Sequence, residues 1–133
     1  MLMGFTELLG AGIELPSPVL TFIEGDSVKL VLSNFSQAAP HTIHLHGLDV
    51  NQANDGVPHL SFEVEHSEEG EYIFKAPQAG TYVYHCHVVS SIHVQAGMYG
   101  LIIIKPADES NTTWSGGYEY NREFAMLMSE IDT

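Results

Sequence analysis

Sulfur chemistry and positive charge are both scarce in this chain. Cys86 is the only cysteine among 133 residues, so an internal disulfide is excluded and compartment cannot be read from one. Lysine and arginine number 4 against 17 acidic residues, a formal net charge of −13. Phosphate recognition needs a basic patch, so nucleic acid is excluded as a natural partner. The same deficit argues against an anionic membrane surface. No apolar run is long enough to cross a bilayer, and no basic segment followed by an apolar one marks a leader peptide. Convincing helical stripes are absent too. The acidic balance either steers a cationic partner or substrate toward the surface or serves solubility alone.

What is present reads as β-structure in one domain. Val19 to Ile23 is a β-branched run, and Glu24-Gly25-Asp26 turns it. Ser27 to Asn34 alternates polar and apolar residues, as a half-buried strand does. Further strands are expected over His41 to His46, Glu71 to Ala76, Thr81 to Cys86 and Tyr99 to Lys105, with a turn of helix between Val88 and Gly97. Short strands divided by Gly/Pro turns point to an all-β Greek-key sandwich. The domain is expected over residues 1–107. Residues 108–133 read as a linker and arm: a closing strand, a contact to a neighbour, or the start of another domain. Asn34-Phe35-Ser36 and Asn111-Thr112-Thr113 match the N-glycosylation pattern, which arises easily by chance.

The chemistry-bearing residues lie in two short segments, His41-Thr42-Ile43-His44-Leu45-His46-Gly47 and His85-Cys86-His87, followed by His93 and Met98. Side chains alternate faces along a strand. His41, Ile43 and Leu45 should share the core face, with Thr42, His44 and His46 on the reverse. Cys86 should share its face with Tyr82 and Tyr84, with His85 and His87 opposite. Two sites follow. An inner set of His41, Cys86, His93 and Met98 combines imidazole, thiolate and thioether, a soft set favouring redox-active copper; zinc, the structural alternative, rarely uses methionine. An outer set of His44, His46, His85 and His87 suits a copper with a position open to oxygen or an oxyanion. Taken singly, a buried cysteine is usually an inert thiol, and Met98 would be core filler. Their matched parity on two segments argues for ligands. His66, in an acidic turn, reads as a surface residue, and His59 is not expected to be a ligand.

Taken together, these residues resemble the cupredoxin domains of multicopper oxidases and copper nitrite reductases. The likeness runs from about Pro18 to Pro106. It rests on Pro18 to Asp26 as the opening strand and turn, His44-Leu45-His46-Gly47, Asp55-Gly56-Val57-Pro58, Ala79 to His87, and Gly97-Met98-Tyr99-Gly100. The chain looks most like a first domain of a two-domain, laccase-like oxidase. The resemblance implies type 1 copper on His41, Cys86, His93 and Met98. It also implies half of a type 2/type 3 cluster on His44, His46, His85 and His87. The implied activity is oxidation of a reducing small molecule or redox protein coupled to reduction of O2, in the periplasm or outside the cell.

The chain departs from those relatives in three respects. The Cys86–His93 interval is longer than the usual oxidase one and shorter than that of nitrite reductases. Nitrite reductases carry Asp at the place of His44 and a non-ligand at that of His87, so this chain leans toward oxygen chemistry. Finally, the family's cluster draws on two domains. A homo-oligomer, dimeric or trimeric, would supply the missing half, and so would a second domain, whose start the segment from Arg122 to Asp132 resembles. A single-domain electron carrier, a nitrite-reductase-like protein and a copper store are the alternative readings.

Overall fold

The computed structural model describes residues 2–7, 10–36 and 39–130. Six strands run in the order β1 (Ser17–Ile23), β2 (Ser27–Ser33), β3 (His44–His46), β4 (Glu69–Lys75), β5 (Gly80–His85) and β6 (Tyr99–Lys105). A 3-10 turn covers Gln52–Asn54, and among the described residues a single short helix, α1, covers Ser90–His93. One sheet has the order β1-β6-β5-β3 and the other pairs β2 with β4.

The strands form where the sequence alternates. In β4, Gly70, Tyr72 and Phe74 are buried while Glu69, Glu71, Ile73 and Lys75 face out. Its antiparallel partner β2 matches Val28 with Phe74 and Leu32 with Gly70. Strand β6 is apolar at nearly every position because it lies between β1, which it pairs in parallel, and β5, which it pairs antiparallel. Leu45, Tyr72, Tyr84, Ile102 and Ile104 lead the main core between the sheets. A smaller cluster joins Cys86, Val88 and Met98, with Met3 and Phe5 against it.

Three expectations need correction. The strand expected over His41 to His46 is confined to His44–His46; His41 makes only an isolated bridge with Val64. Pro40 precedes it, and proline has no N–H for a ladder. Thr42 is accordingly not on an outward face but fully buried, its Oγ1 accepting the His87 N–H at 2.9 Å. The closing strand considered for Glu123 to Ser129 does not form. That segment has no regular secondary structure and is tied to β6 at both ends, Glu123 by an ion pair with Lys105 and Ser129 by a hydroxyl contact with Tyr99.

Candidate metal centre

The inner site is assembled at the ends of β5 and β6. Strand β5 stops at His85, and the next amide, Cys86 N–H, donates to the Met98 carbonyl at 3.1 Å. Between them the chain reverses through Val89, which holds a left-handed φ of 40°. A β-branched residue seldom takes that conformation, which costs on the order of 1–2 kcal/mol. The reversal winds α1 back so that His93 Nδ1 lies 3.3 Å from Cys86 Sγ. His41 Nδ1 reaches the same sulfur at 3.6 Å, and the two rings are 4.7 Å apart. All three residues are buried, and their donor atoms fall within 4.8 Å of one another. Met98, also buried, packs in the same cluster, and its amide donates to the His93 carbonyl at 3.0 Å.

Burial sets the protonation of these groups. It is the main cause holding the His41 imidazole down at about 4, with the neighbouring His93 adding to it. Burial lowers His93 too and pushes the Cys86 thiol up. Both imidazoles are therefore neutral at pH 7, with a lone pair to give, whereas the thiol must shed a proton to become a ligand.

The outer site lies on the other side of the same backbone. His44 pairs with His85 in the β3–β5 register, and their rings are 5.1 Å apart. His46 Nδ1 approaches His85 Nε2 to 3.2 Å. That is the length of an N–H···N hydrogen bond between the rings, and close to the roughly 3.3 Å separating two nitrogens that share one tetrahedral ion at about 2.0 Å. The far nitrogens are tethered: His44 Nδ1–H donates to the Asp55 carbonyl at 2.7 Å, and His85 Nδ1–H to the Cys86 carbonyl at 2.9 Å. Each tether leaves Nε2 as the free donor. His44, His46 and His85 form a second trio within 4.8 Å. His87 stands beside it, 5.1 Å from the His44 ring and 5.8 Å from that of His85. Burial, assisted by the other three histidines, lowers His85, although its tie to the Cys86 carbonyl opposes this. His59 and His66 are exposed and belong to neither set.

Sequence reasoning missed three supporting groups. The Asp55 carbonyl gave no side-chain signal. It is positioned by Gly56, whose φ is +76° and where an added Cβ would lie 2.0 Å from the Ile43 carbonyl oxygen. Thr42, which holds the His87 amide, reads as an ordinary strand residue. Ser36, whose Oγ lies 2.9 Å from His41 Nε2, drew notice only as part of a glycosylation pattern.

The two sheets, with a buried cysteine–histidine centre behind a histidine-bearing face, define a cupredoxin β-sandwich. The chain belongs to the multicopper oxidase family: residues 3–109 match that family's model. Copper resistance protein A of Escherichia coli is 38% identical over 117 residues, covering 87% of this chain and 18% of that protein. A multi-copper oxidase from Pseudomonas thermotolerans superposes with a TM-score of 0.71 at 29% identity, over 76% of this chain and 25% of the other. For a blue copper oxidase from Nitrosomonas europaea the values are 0.65 and 40%, over 69% of this chain and 30% of the other. The chain thus spans less than a fifth of the length of its curated relative.

Proposed function

We propose that this chain is a copper oxidoreductase domain carrying one complete electron-transfer centre and half of an oxygen-reducing one. His41, Cys86, His93 and Met98 would hold type 1 copper. His44, His46, His85 and His87 would furnish their share of a type 2/type 3 cluster, completed by a second domain or subunit. The donor chemistry fits: two neutral Nδ1 atoms and one sulfur meet in a buried pocket with a thioether alongside, a soft set that favours copper over zinc. Copper bound at the two sites would supply one-electron oxidation of a reducing small molecule or redox protein and reduction of O2 to water.

The remaining work falls to the chain. Burial of Cys86 and His93 keeps water from the sulfur. The Asp55 and Cys86 carbonyls fix which nitrogens His44 and His85 present. The observation that carries the reading is the adjacency of the sites: Cys86, with its sulfur in the inner trio, is bonded directly to His85, whose ring belongs to the outer one. The domain proper is proposed to cover residues 1–107, with 108–133 as the arm, acting in a homo-oligomer or a longer chain in the periplasm or outside the cell.

Copper content and visible absorption test this. The loaded protein should hold more than one copper per chain and show an intense thiolate-to-copper band that Cys86→Ser abolishes. His46→Ala should keep the band and lose O2 turnover. A single copper per chain with no turnover under O2 would favour the electron-carrier reading instead.

A further inference from the structure

We propose that Asn34 and Ser36 act as positioning residues, through a hydrogen-bond chain that decides which ring nitrogen His41 presents to the inner centre. The proposal rests on the reading of that centre given above. Asn34 is buried, and its Nδ2 donates to the carbonyls of Ala39 at 2.8 Å and Val64 at 2.9 Å. Both amide hydrogens are thereby used, so the nitrogen a glycan would need is neither exposed nor free. The amide orientation is fixed as well, since flipping it would set Oδ1 against two carbonyl oxygens. Asn34 Oδ1 accepts from the Ser36 amide at 3.0 Å and from the Ser36 hydroxyl at 2.7 Å.

The consequence for His41 follows from counting hydrogens. A hydroxyl has one to give. Among the described residues, the other polar neighbours of Ser36 Oγ are Asn34 Oδ1 and, at 3.2 Å, the Ala39 carbonyl, and both only accept. Giving that hydrogen to His41 Nε2 would leave two oxygens, Ser36 Oγ and Asn34 Oδ1, 2.7 Å apart with none between them; given to Asn34 Oδ1 instead, it leaves the hydroxyl oxygen as an acceptor for His41 Nε2 at 2.9 Å. Nε2 therefore carries the ring proton, and Nδ1 keeps its lone pair toward Cys86 Sγ at 3.6 Å. The same strip of chain holds the His41 backbone: its N–H donates to the Val64 carbonyl at 3.0 Å, and the Val64 N–H returns at 2.9 Å. That carbonyl is one of the two clamped by Asn34. Ring and backbone of His41 are thus registered to one frame.

Partners of this kind typically contribute about 10–100-fold to metal affinity. The test uses the full chain with Co2+, whose thiolate charge-transfer band reports the inner site. Ser36→Ala should keep the far-UV circular dichroism, weaken Co2+ binding by about tenfold and shift the band, and Ser36→Thr should restore both. Wild-type affinity and an unshifted band in Ser36→Ala would overturn the proposal. Imidazole 15N shifts of the metal-free wild-type chain decide it independently, and also serve if Ser36→Ala does not fold. A proton on Nε2 of His41 supports the chain, and one on Nδ1 overturns it. A wild-type protein with no thiolate band, by contrast, sinks the reading of the centre and leaves the tautomer measurement to decide the Ser36 role.

Discussion

At the scale of single residues, burial that keeps the imidazoles neutral also makes the domain acid-sensitive. His41 ordinarily titrates near 6.5 and is held at about 4 in the fold. The unfolded chain then binds the extra proton first as pH falls. Its contribution to stability is full above about 6.5 and is lost between there and about 4, by up to about 1.4 kcal/mol per pH unit. Denaturant unfolding of the metal-free protein should show this slope, and His41→Phe should reduce it, leaving the part that His85 and His93 contribute. Cys86 works in the opposite direction for ligand exchange. Its thiol is raised by burial, so binding at the inner site must expel its proton. With His44 and His46 replaced by alanine to silence the outer site, Co2+ affinity should rise about tenfold per pH unit between 6 and 8, with close to one proton released per chain. A pH-independent affinity would mean that the thiol is not a ligand.

At the scale of elements, the loops around the sites carry the strain, and the strands carry the legible pattern. Alternation made β4 readable, because Tyr72 and Phe74 face the core while their neighbours do not, whereas β6 was readable as a long apolar run and β5 from the Pro/Gly turn that precedes it. The same rule failed at Thr42: the bridge at His41 is isolated, so strand parity does not run through to His44. The proposed ligands were visible as a cluster of His, Cys and Met. The carbonyls and hydroxyls that orient them were not, since a backbone oxygen has no sequence signature and Ser36 looks like any surface serine. Gly56 is a case where loop geometry and site are one thing. Gly56→Ala should destabilise the domain by at least about 2 kcal/mol in chemical denaturation, because the new methyl would collide with Ile43 while φ stays positive. It should also loosen the Asp55 tie on His44. Val89 offers the converse. Val89→Asn tolerates the left-handed turn better and should gain about 1 kcal/mol, read as a higher denaturation midpoint.

At the scale of the whole molecule, charge and exposure set how the domain meets others. A net charge of −13 predicts that a cationic reductant transfers electrons to the copper-loaded protein at least about tenfold faster at low salt than at 0.5 M, whereas an anionic one shows the reverse trend. Stopped-flow reduction across a salt series checks it, and rates insensitive to salt would show that steering plays no part. On the arm, Phe124, Met126 and Met128 turn outward while Leu127 is half-buried.

The parallel pairing of β1 with β6 reaches beyond architecture to how the polypeptide gets there. Ser17 aligns with Gly100 and Ile23 with Lys105, partners separated by most of the chain. On the ribosome β1 must stay unpaired until β6, far downstream, has emerged. Such distant pairing makes folding slow and leaves an adhesive edge open in the interval. Nascent chains stalled before Tyr99 should therefore depend on chaperones, whereas those extended past Lys105 should not.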